Sequence, residues 1–274
     1  MTIIDTYNEI IALFDKMGGI FEIDLWERYA SDISGELLEK CKYDSRDYVF
    51  ETQVVPIIEQ AMTNRVKLDL AHASFLQVTE NMSKRIEEVL GTDLQVDIIF
   101  YVGLCNGAGW ATELNGKPAV LLGVEKIIEL DWCDDESMTA LIHHELGHIW
   151  HFSLHDISKQ YSHSVVKLFC EGVAMHFEQL ILGDFNYYHQ SKNGWLDWCQ
   201  ANRTEIKFEF FRRVNANEST QDFFGDRCNY QGYSDVGYYL GCEFVKWLVQ
   251  RYPFAEIAKL DYDSVCKNFY SFAG

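Results

Sequence analysis

Several features that would limit the possible functions of this chain are scarce in its sequence or missing from it. Its 274 residues include only three prolines and show no proline-rich linker, internal repeat or low-complexity segment. No stretch approaches the roughly 18 uninterrupted apolar residues of a membrane span, and the N-terminus lacks the basic and apolar regions of a signal peptide. These absences predict a cytoplasmic protein with no membrane partner.

Positive charge is also in short supply. The chain has 23 lysines and arginines against 42 aspartates and glutamates, which gives a net charge of −19. Such a surplus argues against nucleic acid as a partner. The eight cysteines contain no C-x-x-C pair, which predicts free thiols in a reducing compartment and no cysteine-based metal site.

One group of residues in the sequence has a defined chemistry, His144-Glu145-Leu146-Gly147-His148. Residues four apart lie on one face of an α-helix, so the two imidazoles can bind the same metal ion. Glu145 is placed to reach water at that metal without being a ligand itself, which is the arrangement of a zinc hydrolase. Acidic and hydroxyl residues at 134–137 precede an apolar run, which predicts that the helix begins there.

Two histidines are too few for a zinc site, so a third protein ligand is required. A pattern with a third histidine on the same helix is disfavoured, because Leu154 occupies that position and His155 is turned about 100° away. A second predicted helix, near residues 162–182, carries Glu171 in an otherwise apolar window. A metal is a sufficient reason to bury that carboxylate, and Glu178 on the same helix face is either a rival ligand or a residue that supports one.

The combination of H-E-L-G-H with E-G-V-A, separated by 22 residues, resembles the gluzincins, which are thermolysin-like zinc metallopeptidases. It is most similar to uncharacterised bacterial families of predicted zinc-dependent proteases, and it covers residues 134–182. The resemblance implies a zincin-like fold, Zn²⁺ held by His144, His148 and Glu171, and Glu145 as the general base. Thermolysin relatives have an aspartate four residues after the glutamate to orient a histidine ligand. Met175 stands there in this chain, so another residue must take that role.

The hydrophobic patterns predict an α+β fold that is mostly helical, with a small mixed sheet packed on the two ligand helices. We expect one continuous globular unit with a helical region at 1–91, a core at 92–183 and a second helical region at 184–274. Predicted strands cover 96–102, 110–114 and 118–124, and Asn115-Gly116 predicts a tight hairpin turn. Predicted helices outside the core lie near residues 7–14, 24–41, 48–62, 68–90, 195–215 and 235–252.

A substrate-binding strand is predicted at Gly109, Trp110 and Ala111, which follow a run of small residues. In gluzincins the strand ahead of the motif pairs with an extended peptide, so the resemblance implies the same use here. The alternative is an ordinary hairpin loop.

A phenol is the predicted donor to the developing oxyanion. Tyr238 lies in Tyr-Tyr-Leu-Gly, 67 residues beyond Glu171, where gluzincins have a tyrosine or histidine with that role. Tyr233 and Tyr239 are the alternate phenols, and packing is the alternative role for this segment.

The predicted function is therefore zinc-dependent hydrolysis of peptide bonds in a peptide or protein substrate. Two other functions compete with it: a non-catalytic zincin-fold binding or regulatory protein, and a hydrolase of a non-peptide amide. The presence of Glu145 favours catalysis, because a purely structural zinc site does not need that residue.

Overall fold

The computed structural model describes residues 1–91, 93–225 and 228–274. The described residues form a mostly helical α+β structure with a small mixed sheet, as predicted. The chain divides into two compact units, residues 1–145 and 146–274, and the boundary falls inside one helix. Among the described residues, no helix has both the length and the apolar character needed to cross a bilayer.

The first unit begins with a short strand, β1 (Thr2–Asp5), which the sequence analysis did not predict. Helix α1 (Tyr7–Met17) follows and buries its i, i+3, i+4 and i+7 positions, which is the spacing of an amphipathic helix. It ends at Gly18, whose φ of 63° is the left-handed conformation that glycine adopts at helix ends. The next helices are α2 (Ile23–Ile33), α3 (Gly35–Ser45), α4 (Phe50–Gln53), α5 (Val55–Thr63), α6 (Arg65–Thr79) and α7 (Met82–Leu90).

Each of the three long helices predicted between residues 24 and 90 is divided in two. The cause of the division is clearest at Ser34, between α2 and α3. Its backbone is extended, and its hydroxyl accepts hydrogen bonds from the backbone N–H groups of Glu36 and Leu37. The residue therefore ends one helix and caps the next, because a serine side chain in this position satisfies N–H groups that the new helix leaves open.

The sheet consists of β1, β2 (Asp97–Tyr101), β3 (Gly109–Leu114) and β4 (Lys117–Gly123) in the order β1-β2-β4-β3. Strands β1, β2 and β4 are parallel, and β3 runs antiparallel to β4. The predicted hairpin turn is confirmed, with φ values of 53° at Asn115 and 74° at Gly116 between the paired ends of β3 and β4. In this sheet β3 is an edge strand, and the short helix α8 (Val124–Glu129) follows β4.

The two helices that carry the predicted ligands have the predicted order and extents close to those expected. Helix α9 (Asp135–Leu154) starts beside Asp134, whose carboxylate accepts hydrogen bonds from the backbone N–H and the hydroxyl of Ser137. Helix α10 (Ser164–Leu182) ends at Gly183 with a φ of 73°. The unit boundary falls between residues 145 and 146, so α9 belongs to both units.

The remaining helices belong to the second unit. They are α11 (Trp195–Ala201), α12 (Arg203–Ala216), α13 (Val236–Val249), α14 (Phe254–Ile257) and α15 (Tyr262–Ala273), and the last two were not predicted. Helices α10 and α13 approach each other at two glycines. A Cβ on Gly172 would lie 2.2 Å from the Gly241 carbonyl oxygen, so only glycine fits at this crossing.

Candidate metal centre

His144 and His148 lie one turn apart on α9, and Glu171 lies on α10. All three side chains are buried, with exposed fractions of 3%, 7% and 2%. The Nε2 atom of His148 is 3.3 Å from Oε2 of Glu171. One ligand atom from each of the three residues lies within 4.8 Å of the others. The structure therefore brings together the three residues that the sequence indicated as ligands.

The donor atoms fit a zinc ion. Two imidazoles and one carboxylate form a ligand set of catalytic zinc sites. Two ligand atoms, each about 2.1 Å from a tetrahedral ion, are about 3.4 Å apart, and the separation between His148 and Glu171 is 3.3 Å. A buried carboxylate beside two buried imidazoles is also a group that a divalent cation would stabilise, because the cation compensates for the lost hydration of the charge.

Packing at Gly147 explains why α9 and α10 come close at this point. A Cβ on Gly147 would lie 3.1 Å from Cα of Ala174 and 3.2 Å from Cβ of Phe177, which is tighter than ordinary side-chain contact. The glycine inside the H-E-L-G-H motif therefore lets α10 approach the residue next to His148. The close approach places Glu171 within reach of His148.

Tyr161 is a site residue that the sequence analysis missed. Its hydroxyl donates a hydrogen bond to Oε1 of Glu171. Burial and, to a smaller extent, the negative charge of Glu171 raise the pKa of Tyr161 well above its usual value, so the phenol keeps its proton. The sequence held no signal for this role, because the chain has 15 tyrosines and Tyr161 lies in the segment between two helices.

Glu145 is 8% exposed and contacts the predicted substrate strand. Its Oε2 accepts a hydrogen bond of 2.8 Å from the backbone N–H of Ala111. A Cβ on Gly109 would lie 2.6 Å from Oε1 of Glu145, so only glycine leaves room for the carboxylate. Trp110 lies between these two residues and pairs with Leu121 of β4. The predicted base and the predicted strand are therefore neighbours.

Glu178 is two turns beyond Glu171 on the same face of α10 and is fully buried. Its Oε2 lies 2.8 Å from Nδ1 of His189, and Nε2 of His189 lies 2.8 Å from the side-chain nitrogen of Gln190. A carboxylate can only accept, so the Nδ1–H of His189 donates to Glu178. One ligand atom each of His144, Glu178 and His189 also lies within 4.8 Å of the others.

Glu178 is placed to orient a histidine ligand, a role that Met175 cannot fill. Met175 is fully buried and offers only a thioether sulfur, which accepts weakly and carries no charge. Glu178 is one turn further along α10 and places a carboxylate near His144. Carboxylates in such positions fix the tautomer and orientation of a histidine ligand. His189 was not singled out from the sequence, because it lies beyond the end of α10 and only the fold returns it to Glu178.

The three candidate phenols in 233–239 face different surroundings. The ring of Tyr238 is 6.4 Å from the ring of His189 and 6.2 Å from the ring of Phe224. Tyr239 is buried against Trp195, at 6.3 Å between ring centroids. Tyr233 stacks on the ring of Trp198 at 4.3 Å. Of the three, Tyr238 is the one whose ring lies next to His189.

His155 stays outside both groups of potential metal ligands found among the described residues. His155 follows the last residue of α9 and has an extended backbone, so its position is not set by helical phase as the sequence analysis assumed. His151 on α9 is fully buried, and burial lowers its pKa to about 3, so the ring is neutral at physiological pH.

Comparison of the chain with protein-family models gives no match, and the comparisons with curated proteins and with solved structures give none either.

Proposed function

We propose that this protein is a zinc-dependent hydrolase of peptide bonds, of the gluzincin type, with a zincin-like core. The proposal is carried by one observation: His144, His148 and Glu171 converge, and the residue next to His144 is a glutamate that touches an edge strand. A metal centre that only stabilised the fold would need the three ligands. It would not need a carboxylate placed between the ligands and a strand that can bind peptide.

A zinc ion held by the three ligands would supply Lewis acidity toward water and toward the scissile carbonyl. Glu145 follows His144 in a continuous helix, so helical geometry keeps its carboxylate beside the ligands. In the proposed reaction Glu145 accepts the proton of the attacking water and returns it to the leaving amine. General acid–base catalysis of this kind contributes about 10²–10⁴-fold in rate.

The outward edge of β3 is the proposed binding surface for an extended peptide. Alternate residues of an edge strand direct their backbone groups away from the paired strand. Because the N–H of Ala111 bonds to Glu145, it is Gly109, Ala111 and Glu113 that face outward. Since Glu145 takes the N–H of Ala111, a peptide would pair with the other outward backbone groups of β3, and its backbone would be held next to the general base for attack on one of its carbonyl groups.

Tyr161 and Tyr238 are the proposed donors to the oxyanion. The Tyr161 phenol donates to Glu171 in this structure and would have to turn its single O–H to the carbonyl oxygen. The ring of Tyr238 lies 6.4 Å from the ring of His189. A protonated phenol at this position stabilises negative charge as it develops on the carbonyl oxygen, an effect worth a few kcal/mol in the transition state.

The test combines metal analysis with peptide cleavage. We expect the purified chain to bind a single zinc ion and to cleave peptide libraries in a chelator-sensitive reaction. Glu145→Gln should keep zinc and fold but lose about 100-fold or more in rate, because the ligands remain while the proton acceptor is gone. Glu171→Ala should weaken zinc binding strongly. His155→Ala, directly after the last residue of α9, is the control and should not.

Each part of this test can fail separately. Equal activity in wild type and Glu145→Gln would refute the proposed base. Stronger zinc loss in His155→Ala than in Glu171→Ala would refute the ligand set. Tight zinc binding without cleavage of any amide would identify a binding protein in place of a hydrolase.

A further inference from the structure

Glu125 is a fully buried acid in the first unit that the proposed mechanism does not use. It is the second residue of α8. Its Oε2 accepts a hydrogen bond of 2.9 Å from the backbone N–H of Gly103, and its Oε1 accepts one of 3.0 Å from that of Cys105. Both donors belong to residues 102–108, the connecting segment between β2 and β3. A carboxylate is rarely buried in full without partners, and here two of them are backbone groups of this segment.

The connecting segment is held along both of its halves. In the first half, Cys105 has a φ of 59°, a conformation that residues other than glycine adopt only rarely, and its N–H is the one bound by Glu125. The second half lies against the end of β4, where the N–H of Gly123 donates to the carbonyl oxygen of Ala108 at 3.0 Å. A Cβ on Gly123 would lie 2.5 Å from the carbonyl oxygen of Gly107, so the segment passes β4 too closely for any side chain there.

The connecting segment leads directly into the strand that contacts the proposed general base. Gly109 follows its last residue, and a Cβ on Gly109 would lie 2.6 Å from Oε1 of Glu145. The N–H of Ala111 donates to Oε2 of the same carboxylate at 2.8 Å. A displacement of about 1 Å in a reacting group costs about 100-fold in rate, so the contact between this strand and the base has to be held closely.

We propose that Glu125 is a positioning residue for the reaction: it holds the connecting segment and so keeps the first residues of β3 in contact with Glu145. This inference rests on the proposed peptidase function. In this role Glu125 acts through the backbone of the connecting segment and not on the substrate itself.

The alternative role for Glu125 is purely structural. Strand β3 also pairs with β4 along its whole length. If that pairing alone fixes β3, loss of the Glu125 carboxylate would lower the stability of the whole unit and would not selectively weaken the bond from Ala111 to Glu145. The experiment therefore compares Ala111 with another residue of the same sheet and does not rely on turnover alone.

The test measures amide hydrogen exchange by NMR in zinc-loaded protein isotope-labelled at the alanine nitrogens. Glutamine at position 125 keeps the size of glutamate but has a single acceptor oxygen, so Glu125→Gln loses one of the two bonds to the connecting segment. We expect exchange of the Ala111 amide to become about 10-fold faster. Ala119 of β4, which pairs with Thr112, is the internal reference and should keep its rate. For peptide cleavage, kcat should fall about 10- to 100-fold with little change in KM.

Glu59→Gln is the matched control, because Oε1 of Glu59 also accepts a backbone N–H bond, from Phe21 at 3.0 Å, outside the connecting segment. It should leave both Ala111 exchange and kcat unchanged. Gly103→Ala is a second variant that retains Glu125. The added Cβ would lie 2.9 Å from Oε1 of Glu125, which pushes the carboxylate and the connecting segment apart, so Ala111 exchange should rise as it does in Glu125→Gln.

Exchange that rises equally at Ala111 and Ala119, or that stays at the wild-type rate at Ala111, would overturn the inference, because Glu125 would then only stabilise the unit. Faster exchange at Ala111 with unchanged kcat would also overturn it, and so would failure of both variants to fold. Cleavage by the wild type is measured separately. If the wild type cleaves no peptide, the peptidase function is rejected, whereas the exchange rates still decide whether Glu125 holds β3 against Glu145.

Discussion

Replacing Gly109 with alanine should impair catalysis while leaving the metal ligands untouched. The added Cβ would lie 2.7 Å from Cγ and 2.6 Å from Oε1 of Glu145, and 2.9 Å from Cδ1 of Leu141. Ordinary contact between carbon atoms is about 3.5 Å, so Cγ of Glu145 has to move by about 0.8 Å. The backbone itself can accept alanine at this position, because the φ of Gly109 is not in the left-handed range. The effect is therefore a displacement of the carboxylate, not a general strain of the strand.

The displacement predicts two separate magnitudes. A shift of about 1 Å in a reacting group costs about 100-fold in rate, so kcat/KM for peptide cleavage should fall by that order. Crowding of a packed site destabilises by about 1–3 kcal/mol, which should lower the thermal midpoint by several degrees. Zinc content should not change, because His144, His148 and Glu171 keep their positions.

The assay compares kcat/KM, zinc content and Tm of Gly109→Ala with those of wild type and of Gly35→Ala. A Cβ on Gly35 meets no atom within 4 Å, and the residue opens a helix, so this control should be neutral or slightly stabilising. Unchanged kcat/KM in Gly109→Ala would refute the reasoning, since Glu145 would then tolerate a displacement that a positioned base does not. A loss of zinc would refute it in a different way, because the substitution would have disturbed the whole centre.

Two further predictions concern the surroundings of the centre. Glu178→Gln should reduce zinc affinity by about 10- to 100-fold at an unchanged fold, because an amide holds a histidine ligand in place less well than a carboxylate; a metal titration that gave wild-type affinity would exclude Glu178 from that role. Tyr161→Phe should lower kcat by about 10- to 1000-fold with little change in KM if its phenol donates in the transition state. The same measurement on Tyr238→Phe identifies the second donor, and unchanged kcat in both variants would assign the oxyanion to zinc alone.

The features that could be read from the sequence are those fixed by local patterns. The spacing of His144 and His148 gives their common helix face, and Asn115-Gly116 gives the hairpin turn through its two positive φ values. The buried glutamate of α10 was recognisable because its neighbours are apolar. In each of these cases the deciding interaction lies within a few residues along the chain, where backbone geometry determines which groups can meet.

The features that could not be read depend on contacts between distant segments. Strand β1 has only four residues and is identified by its parallel pairing with β2, about 95 residues away. Tyr161 becomes a site residue only because the segment before α10 folds back on Glu171. His189 meets Glu178 across the end of a helix. Such pairings cannot be predicted from hydrophobic periodicity or from turn residues, because no local backbone geometry connects the two partners.

The crossing of α10 and α13 has a consequence for mutational tolerance. Gly172 directly follows Glu171, and a Cβ on its counterpart Gly241 would lie 2.3 Å from the carbonyl oxygen of Leu168. Any larger side chain at either glycine must push apart the helix that carries the glutamate and the helix that carries Tyr238. A survey of random variants should therefore find inactivating substitutions at Gly172 and Gly241, which are 69 residues apart in the chain. Neither glycine contacts the metal ion or the peptide in the proposed mechanism. A search limited to residues with reactive side chains would leave both substitutions unexplained.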